Sequence, residues 1–457
     1  MDSLNHKKNT ALKRYLERHI EPGLPNAPLP TKAWQHALVI PAYDESPGFL
    51  AALSSLSAKG RALVIVVLNR PDSNPNNQIN STLRNAIATM KHSDTAGNPS
   101  NPIYKINESL DLFCYDLEQL SGASPSSQGV GLARKIGCDI ALLWQSQGAI
   151  SGDWIFSTDA DAALPMDYFS RLDRESDAVA AVYPFVHIAG ISDDVNRATA
   201  LYELRLQQYV LGLIYAQSPH AFHTLGSCVA VKGLHYAQVR GYPKRAGAED
   251  FYLLNKLAKL GPIASLGGEC ITLQSRVSNR IPFGTGPATH KIIEEDQYDK
   301  SPLFYHPQHF EALKYLLKAI PYLQEHDPEE LPRLLMSLGL SEQLAHISQK
   351  AALSQNLHGT ILHCRKHGKS PAQFLAQFHQ WFDGFRTLKF IHQLRDIALP
   401  MQDLSSVFSL QPKLFPPGTG ADTDIESLRT AIRKHWRWSS REKMSSQEPI
   451  PEDSLDT

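Results

Sequence analysis

The hydrophobic residues of this chain fall into two textures that change over near residue 300. In the first part they form short, near-continuous runs rich in β-branched residues, Ala37-Leu38-Val39-Ile40 and then Ala62-Leu63-Val64-Ile65-Val66-Val67-Leu68. Runs apolar on both faces predict strands buried in a parallel sheet. The first run is expected to end at Pro41, which has no N–H for a ladder. Between the two runs, Leu50, Leu53 and Leu56 recur at helical spacing and predict a helix over residues 47–59. Residues 110–117 and 154–158 predict a third and a fourth strand. The polar residues 70–102, with several Asn and Pro, predict a long loop carrying one short helix. Strand–helix alternation of this kind predicts an α/β core, a mostly parallel sheet with helices on both faces.

Beyond residue 300 strand-like runs disappear. Residues 310–323, 329–353 and 372–399 have helical periodicity, and Phe374, Phe378, Trp381, Phe382 and Phe385 form an apolar stripe. Such a stripe is expected to be the core of a helical bundle, with an acceptor-binding or dimer surface as its other use. The first 30 residues predict a polar amphipathic helix and a Pro-rich joint. Residues from 416 on are rich in Pro, Ser and acids and predict a loose tail with one short helix near residues 425–436. There Trp436 and Trp438 beside Arg433, Lys434 and Arg437 suggest peripheral membrane contact. The expected division is an N-terminal helix and linker (1–30), an α/β domain (31–300), a helical C-terminal region (301–415) and a largely disordered tail (416–457).

Composition narrows the partners. A chain of 457 residues with 42% hydrophobic and 20% charged residues reads as a globular protein of two or three units. Its net charge of −1 offers no long-range attraction to nucleic acid. No apolar run approaches the roughly 20 residues that cross a bilayer, and the N-terminus lacks the apolar stretch of a secretion signal. Cys114, Cys138, Cys228, Cys270 and Cys364 contain no CxxC pair, which fits buried reduced thiols better than a disulfide frame or a zinc site. A cytoplasmic location is expected.

The candidate chemistry sits at the ends of the predicted strands. Asp159-Ala160-Asp161 closes the fourth strand, and carboxylates at that spacing can converge on one hard divalent cation such as Mg²⁺ or Mn²⁺. Bound there, the cation would neutralise a diphosphate leaving group. Ligands of open parallel sheets lie beyond the carboxyl ends of the strands. That rule gathers Tyr43-Asp44-Glu45, Asn69-Arg70-Pro71-Asp72 and the acidic pair at one rim. Gly129-Val130-Gly131 begins a helix whose N–H groups suit an anion, with Arg134 as the cation for a nucleotide or its phosphates. Glu249-Asp250 opens a further helix over residues 251–260, where acids also serve as dipole complements. Arg276 and Arg280, followed by Gly284 and Gly286, suit a basic loop closing on a diphosphate.

In order and spacing these motifs resemble the family 2 glycosyltransferases of the GT-A fold, over about residues 37–288. The resemblance rests on residues 39–45, on 129–137, on the Asp159/Asp161 pair and on Ala248-Glu249-Asp250-Phe251. It extends to Leu225-Gly226-Ser227 and Arg240-Gly241-Tyr242-Pro243, where the family has its acceptor side. It implies a Rossmann-like nucleotide-diphospho-sugar transferase domain with a helical C-terminal extension. By the same resemblance Pro41, Tyr43 and Glu45 lie against the nucleobase and ribose, while Asn69 stands where the family usually has an acid that reads the base. Arg134, Asp159, Arg276 and Arg280 would contact the nucleotide-sugar. Asp159 and Asp161 would hold Mn²⁺ or Mg²⁺, with His290, or second to it His223, as a further ligand. Asp250 matches the base of inverting members, and Glu249 would orient the loop or bond the acceptor.

The implied activity is transfer of a hexose from a nucleotide-sugar donor to a hydroxyl acceptor: a sugar, a glycan or a lipid-linked molecule. The alternatives are a retaining enzyme of the type that glycosylates glycerate or phosphoglycerate, and a sugar-nucleotide binding protein without catalysis. A sugar-nucleotide pyrophosphorylase would carry a basic Gly-rich loop directly after the first strand, where Pro41-Ala42-Tyr43-Asp44-Glu45 stands. A phosphatase with an aspartyl nucleophile would have its acidic pair there.

Overall fold

The β-branched runs of the first 300 residues build one large sheet. A computed structural model of the chain describes residues 2–27, 33–93, 102–190, 192–276, 285–295 and 300–442. Its strands are β1 (His36–Ala42), β2 (Ala62–Leu68), β3 (Ile103–Lys105), β4 (Leu110–Asp116), β5 (Trp154–Ser157), β6 (Ala162–Ala163), β7 (Ala180–Val182), β8 (Phe185–Ile188), β9 (Val229–Lys232), β10 (Ile263–Ser265) and β11 (Ile271–Gln274). Eight of them lie in the order β10-β7-β9-β5-β1-β2-β4-β3, and β6, β11 and β8 form a small second sheet. The centre, β5-β1-β2-β4, is parallel. β9 runs antiparallel between β5 and β7, so the sheet is mixed beyond the fourth predicted strand. Every residue of β1 and β2 is buried, as a strand covered on both faces requires. One face packs on the Gly129–Ser146 helix, the other on Leu53, Leu83, Phe156 and Tyr168.

β1 does not stop at Pro41, as expected, but continues to Ala42. The Val39 carbonyl accepts the Thr158 N–H, while pairing to β5 ends at Val39. Pro41, two residues on, faces the same side, where there is no ladder for its missing N–H to interrupt. The helix expected over 47–59 covers only Gly48–Ser54. β3 adds an edge strand just past the polar stretch 70–102, which also carries the short helix Ser81–Ala88. Short strands β6 to β11 carry too few residues for an alternation to be read from the chain.

The N-terminal helix Asp2–Arg18 is anchored by a buried polar cluster. Tyr15 Oη donates to Asp139 Oδ1 at 2.6 Å, and Lys135 Nζ reaches Asp139 Oδ2 at 2.7 Å. After residue 300 the chain is helical: Pro307–Ala319, Leu331–Ser337, Glu342–Leu353, Leu357–His367, Pro371–Trp381, Gly384–Ile397 and Leu404–Leu410. Phe374, Phe378 and Phe382 are buried there, whereas Phe385 is exposed. The long helix Asp193–Tyr215 shares this core through Leu201, Leu204 and Leu213.

The short helix expected near residues 425–436 runs longer, over Ile425–Glu442. The helix Ile425–Glu442 packs rather than hangs free: Leu428 and Ile432 are buried in the helical core. Arg429 donates to both oxygens of the buried Glu203, at 3.0 and 2.7 Å. A helix too polar to stand alone is held by that ion pair and two aliphatic anchors. The side chains of Trp436 and Trp438, and residues 443–457, lie outside the described parts. Among the described residues no helix is long and apolar enough to cross a membrane, and the five cysteines are free thiols.

Candidate active site

Parallel strands β1, β2 and β5 end at one rim, and their following turns open a cleft of ≈ 690 Å³, a volume suited to a nucleotide-sized ligand. Its walls include Pro41, Tyr43, Glu45, Asn69, Arg134, Asp159, Asp161, Glu249, Asp250 and Arg276. Ten residues spread over 236 positions of sequence (276 − 41 + 1) are thus brought together by topology. Arg280 lies outside the described residues. His290 does not line the cleft; its exposed ring pairs with Glu294 at 3.2 Å, one turn along the Thr285–Ile293 helix. His223 is buried in the wall of a smaller neighbouring cavity. Among the described residues no three His, Cys, Asp or Glu side chains converge as a metal-holding group.

The glycines of Gly129-Val130-Gly131 have a different partner from the expected anion. A Cβ on Gly131 would stand 2.5 Å from the Pro243 carbonyl, and one on Gly129 2.8 Å from Ala246 Cα. The Gly131 N–H donates to the Arg245 carbonyl at 3.0 Å. These glycines therefore let the 243–248 loop pass close over the helix start. That loop ends at Ala248, whose φ of 58° lies in the left-handed region rarely adopted by a residue with a Cβ. The helix Glu249–Leu257 begins directly after it, so the strained residue aims Glu249 and Asp250 at the cleft.

Arg134, expected at the nucleotide or its phosphates, lines the cleft and bonds three protein side chains. It is 2% exposed. Its Nε donates to Glu249 Oε1 at 2.9 Å, Nη1 to Ser157 Oγ at 2.8 Å, and Nη2 to Asp159 Oδ1 at 2.5 Å. Gly226 makes room for it, since a Cβ there would fall 2.4 Å from Nη2. One guanidinium thus ties the end of β5, the first acid of the Asp-x-Asp pair and the first acid of the helix into a single unit. On the open side Arg276 pairs with Asp161 at 2.7 Å and approaches Glu45 at 3.5 Å.

Asp250 has the perturbed environment of a working group. Burial, and next the neighbouring Glu249 carboxylate, push its pKa up to about 7, against the Phe251 N–H that bonds it at 2.7 Å. The turn after β1 is set by Asn80: the Asp44 N–H donates to its Oδ1 at 3.1 Å, and its amide donates to the Asn69 carbonyl at 3.0 Å. Tyr43 Oη accepts from Asn74 at 2.7 Å. Asp72 is used locally, accepting from the Ser126 N–H at 2.9 Å and from its hydroxyl. These Ser126 bonds lower its pKa.

Sequence reasoning missed the floor of the cleft: His187, Tyr202, Leu206 and Thr224. His187 Nδ1 lies 3.0 Å from Glu203 Oε2, whose other partner is Arg429. Nothing local marks these residues, since β8 is four residues long and the helix carrying Glu203 reads as an ordinary amphipathic one. A buried Glu and a buried Arg separated by 226 positions are paired only in three dimensions.

Asp159 and Asp161 keep side-chain exposures of 39% and 23%. An all-oxygen pair at a partly open rim fits Mg²⁺ or Mn²⁺, which take one or two carboxylates and fill the remaining positions with phosphate and water. No protein-family model and no curated protein matches the chain. Among solved structures it is similar to a mannosyltransferase from Pyrobaculum calidifontis in complex with GDP-mannose and Mn²⁺. The likeness has 17% identity and a TM-score of 0.34, and covers 83% of this chain and 96% of that one.

Proposed function

We propose that this protein is a glycosyltransferase of the GT-A type, similar to family 2, that moves a hexose from a nucleotide-diphosphate-sugar to a hydroxyl acceptor with inversion. The reading is carried by one observation: Asp159, Asp161 and Asp250 face a single cleft that Tyr43, Glu45 and Asn69 also line.

The roles follow from chemistry. Tyr43, Glu45 and Asn69 hold the nucleoside beyond β1 and β2. Asp159 and Asp161 hold a divalent cation, which when bound supplies positive charge to the departing diphosphate. Arg134 positions Asp159 and Glu249 from beneath. Arg276, which pairs with Asp161, would add positive charge at the donor phosphates, and Arg280 is assigned the same role. Asp250 accepts the acceptor hydroxyl's proton as its oxygen attacks the anomeric carbon from the face opposite the leaving nucleotide. A carboxylate with a pKa near 7 is a stronger base than an ordinary aspartate while still ionised in half the molecules at neutral pH.

The test is a thermal-shift screen of UDP-, GDP- and dTDP-sugars with and without Mn²⁺, followed by product analysis. A nucleotide-sugar should raise the melting temperature in a Mn²⁺-dependent way, and Asp161→Ala should lose both that shift and sugar transfer while keeping its unliganded melting point. Full transfer by Asp161→Ala would remove the metal role. Proton NMR of the product reads the anomeric configuration, and retention would displace Asp250 as base.

A further inference from the structure

A second, smaller cavity adjoins the cleft at its Asp250 end. Leu206, Thr224, Leu225 and Phe251 line both, and Phe251 follows Asp250 directly in the chain. None of Tyr43, Glu45, Asn69 and Asp159 reaches the smaller space. It therefore adjoins the cleft through residues next to Asp250, the group proposed to meet the acceptor hydroxyl, and shares none of the candidate nucleoside contacts. Its volume is ≈ 50 Å³. Since about 10–15 Å³ on this measure holds one water, there is room for a short chain of a few carbon atoms but not for a sugar ring.

The walls define what fits. Tyr209, Val210 and Phe222 complete the apolar lining, and the polar groups are His220, His223 and Asn255; among the described residues no Lys, Arg, Asp or Glu lines the space. His220 is 7% exposed, and neither of its ring nitrogens makes a hydrogen bond of normal geometry within the chain. A buried polar group in that state is costly unless something else satisfies it. Burial drives the pKa of both His220 and His223 down to about 4. At His220 the Asp383 carboxylate and the Phe382 backbone oppose this, while His379 and Lys259 add to it. At neutral pH both imidazoles are uncharged, so the cavity has no charge with which to hold a phosphate or carboxylate.

We propose that this cavity seats an uncharged, mainly apolar arm of the acceptor, of about three to five non-hydrogen atoms, with His220 bonding a hydroxyl or ether oxygen on it. The proposal rests on the glycosyltransferase reading and narrows its acceptor to molecules bearing a short uncharged aliphatic group. Glycerate and phosphoglycerate, whose charge lies within a few bonds of the reacting hydroxyl, do not fit it.

Binding of the methyl to hexyl β-glucosides to the full chain tests this by calorimetry, with no donor required. Affinity should rise about four-fold per added methylene up to the butyl or pentyl compound and then level off. Val210→Phe, which fills the space, should flatten that rise; Val210→Leu is the milder variant if melting shows the first to be misfolded. A flat series in the unaltered protein, an unchanged rise in the filled variant, or tighter binding of 3-phosphoglycerate than of any glucoside would overturn the proposal. Donor turnover is scored separately: a chain-length dependence without nucleotide-sugar cleavage keeps the cavity and removes the transferase.

Discussion

On the proposed function, two residues decide what the cleft can do. Asp250 is kept partly protonated by burial beside Glu249, and only its ionised form accepts a proton. In the free enzyme kcat/KM should therefore rise with pH and level off above about 7. Asp250→Asn should lower transfer by about 10²- to 10⁴-fold with little change in donor affinity; a pH profile without that limb would argue against the assignment. Arg134 ties Ser157, Asp159 and Glu249 together. Arg134→Met would leave Asp159 and Glu249 facing each other without their shared donor. Breaking a buried pair in this way costs about 3–5 kcal/mol, so the variant should melt well below the parent and also lose Mn²⁺-dependent donor binding. The motif glycines and acids were legible in the sequence. That Gly131 faces the Arg245 loop, and that Arg134 joins Asp159 to Glu249, was not, because Arg245 and Glu249 lie more than 100 positions from their partners and no local pattern pairs Arg134 with Asp159.

At the scale of elements, the C-terminal helix Ile425–Glu442 acts as a strap under the cleft floor. Arg429 bonds both Glu203 oxygens and the His187 carbonyl, and His187 lines the cleft. Burial alone would raise the Glu203 pKa, but the bonds from His187 and Arg429 outweigh it and hold it at about 2, below its ordinary 4.5. A depressed carboxylate stabilises the fold above pH 4.5, and that contribution is lost as pH falls toward 2. Melting temperature should fall across that window in the parent. In Arg429→Met it should start lower, by about 3–5 kcal/mol of stability, and fall less on acidification. Composition suggested a tail because this helix is mostly polar; one arginine and two aliphatic residues aimed inward overrule the average. Gly131→Ala belongs here too. A Cβ 2.5 Å from the Pro243 carbonyl must push back the loop that carries Asp250, costing about 1–3 kcal/mol and transfer activity with it, measurable together by melting and turnover.

For the whole molecule, the α/β part and the helical part share one helix. Asp193–Tyr215 presents Tyr202 and Leu206 to the cleft while burying Leu201, Leu204 and Leu213 with the C-terminal helices. A chain ending at residue 300 would expose that face and should aggregate, and the full chain should melt in one transition rather than two; calorimetry distinguishes these. From the sequence by itself came the parallel centre of the sheet and the change to helices after residue 300, since each depends on spacing within a few positions along the chain; the expected site residues came from the order of motifs, and ten of them line the cleft. The antiparallel β9, the reach of β1 past Pro41, the partners of Arg134 and the burial of Arg429 needed the folded structure. Those depend on which segments share a boundary after folding, and local periodicity carries no information about contacts between segments tens to hundreds of positions apart.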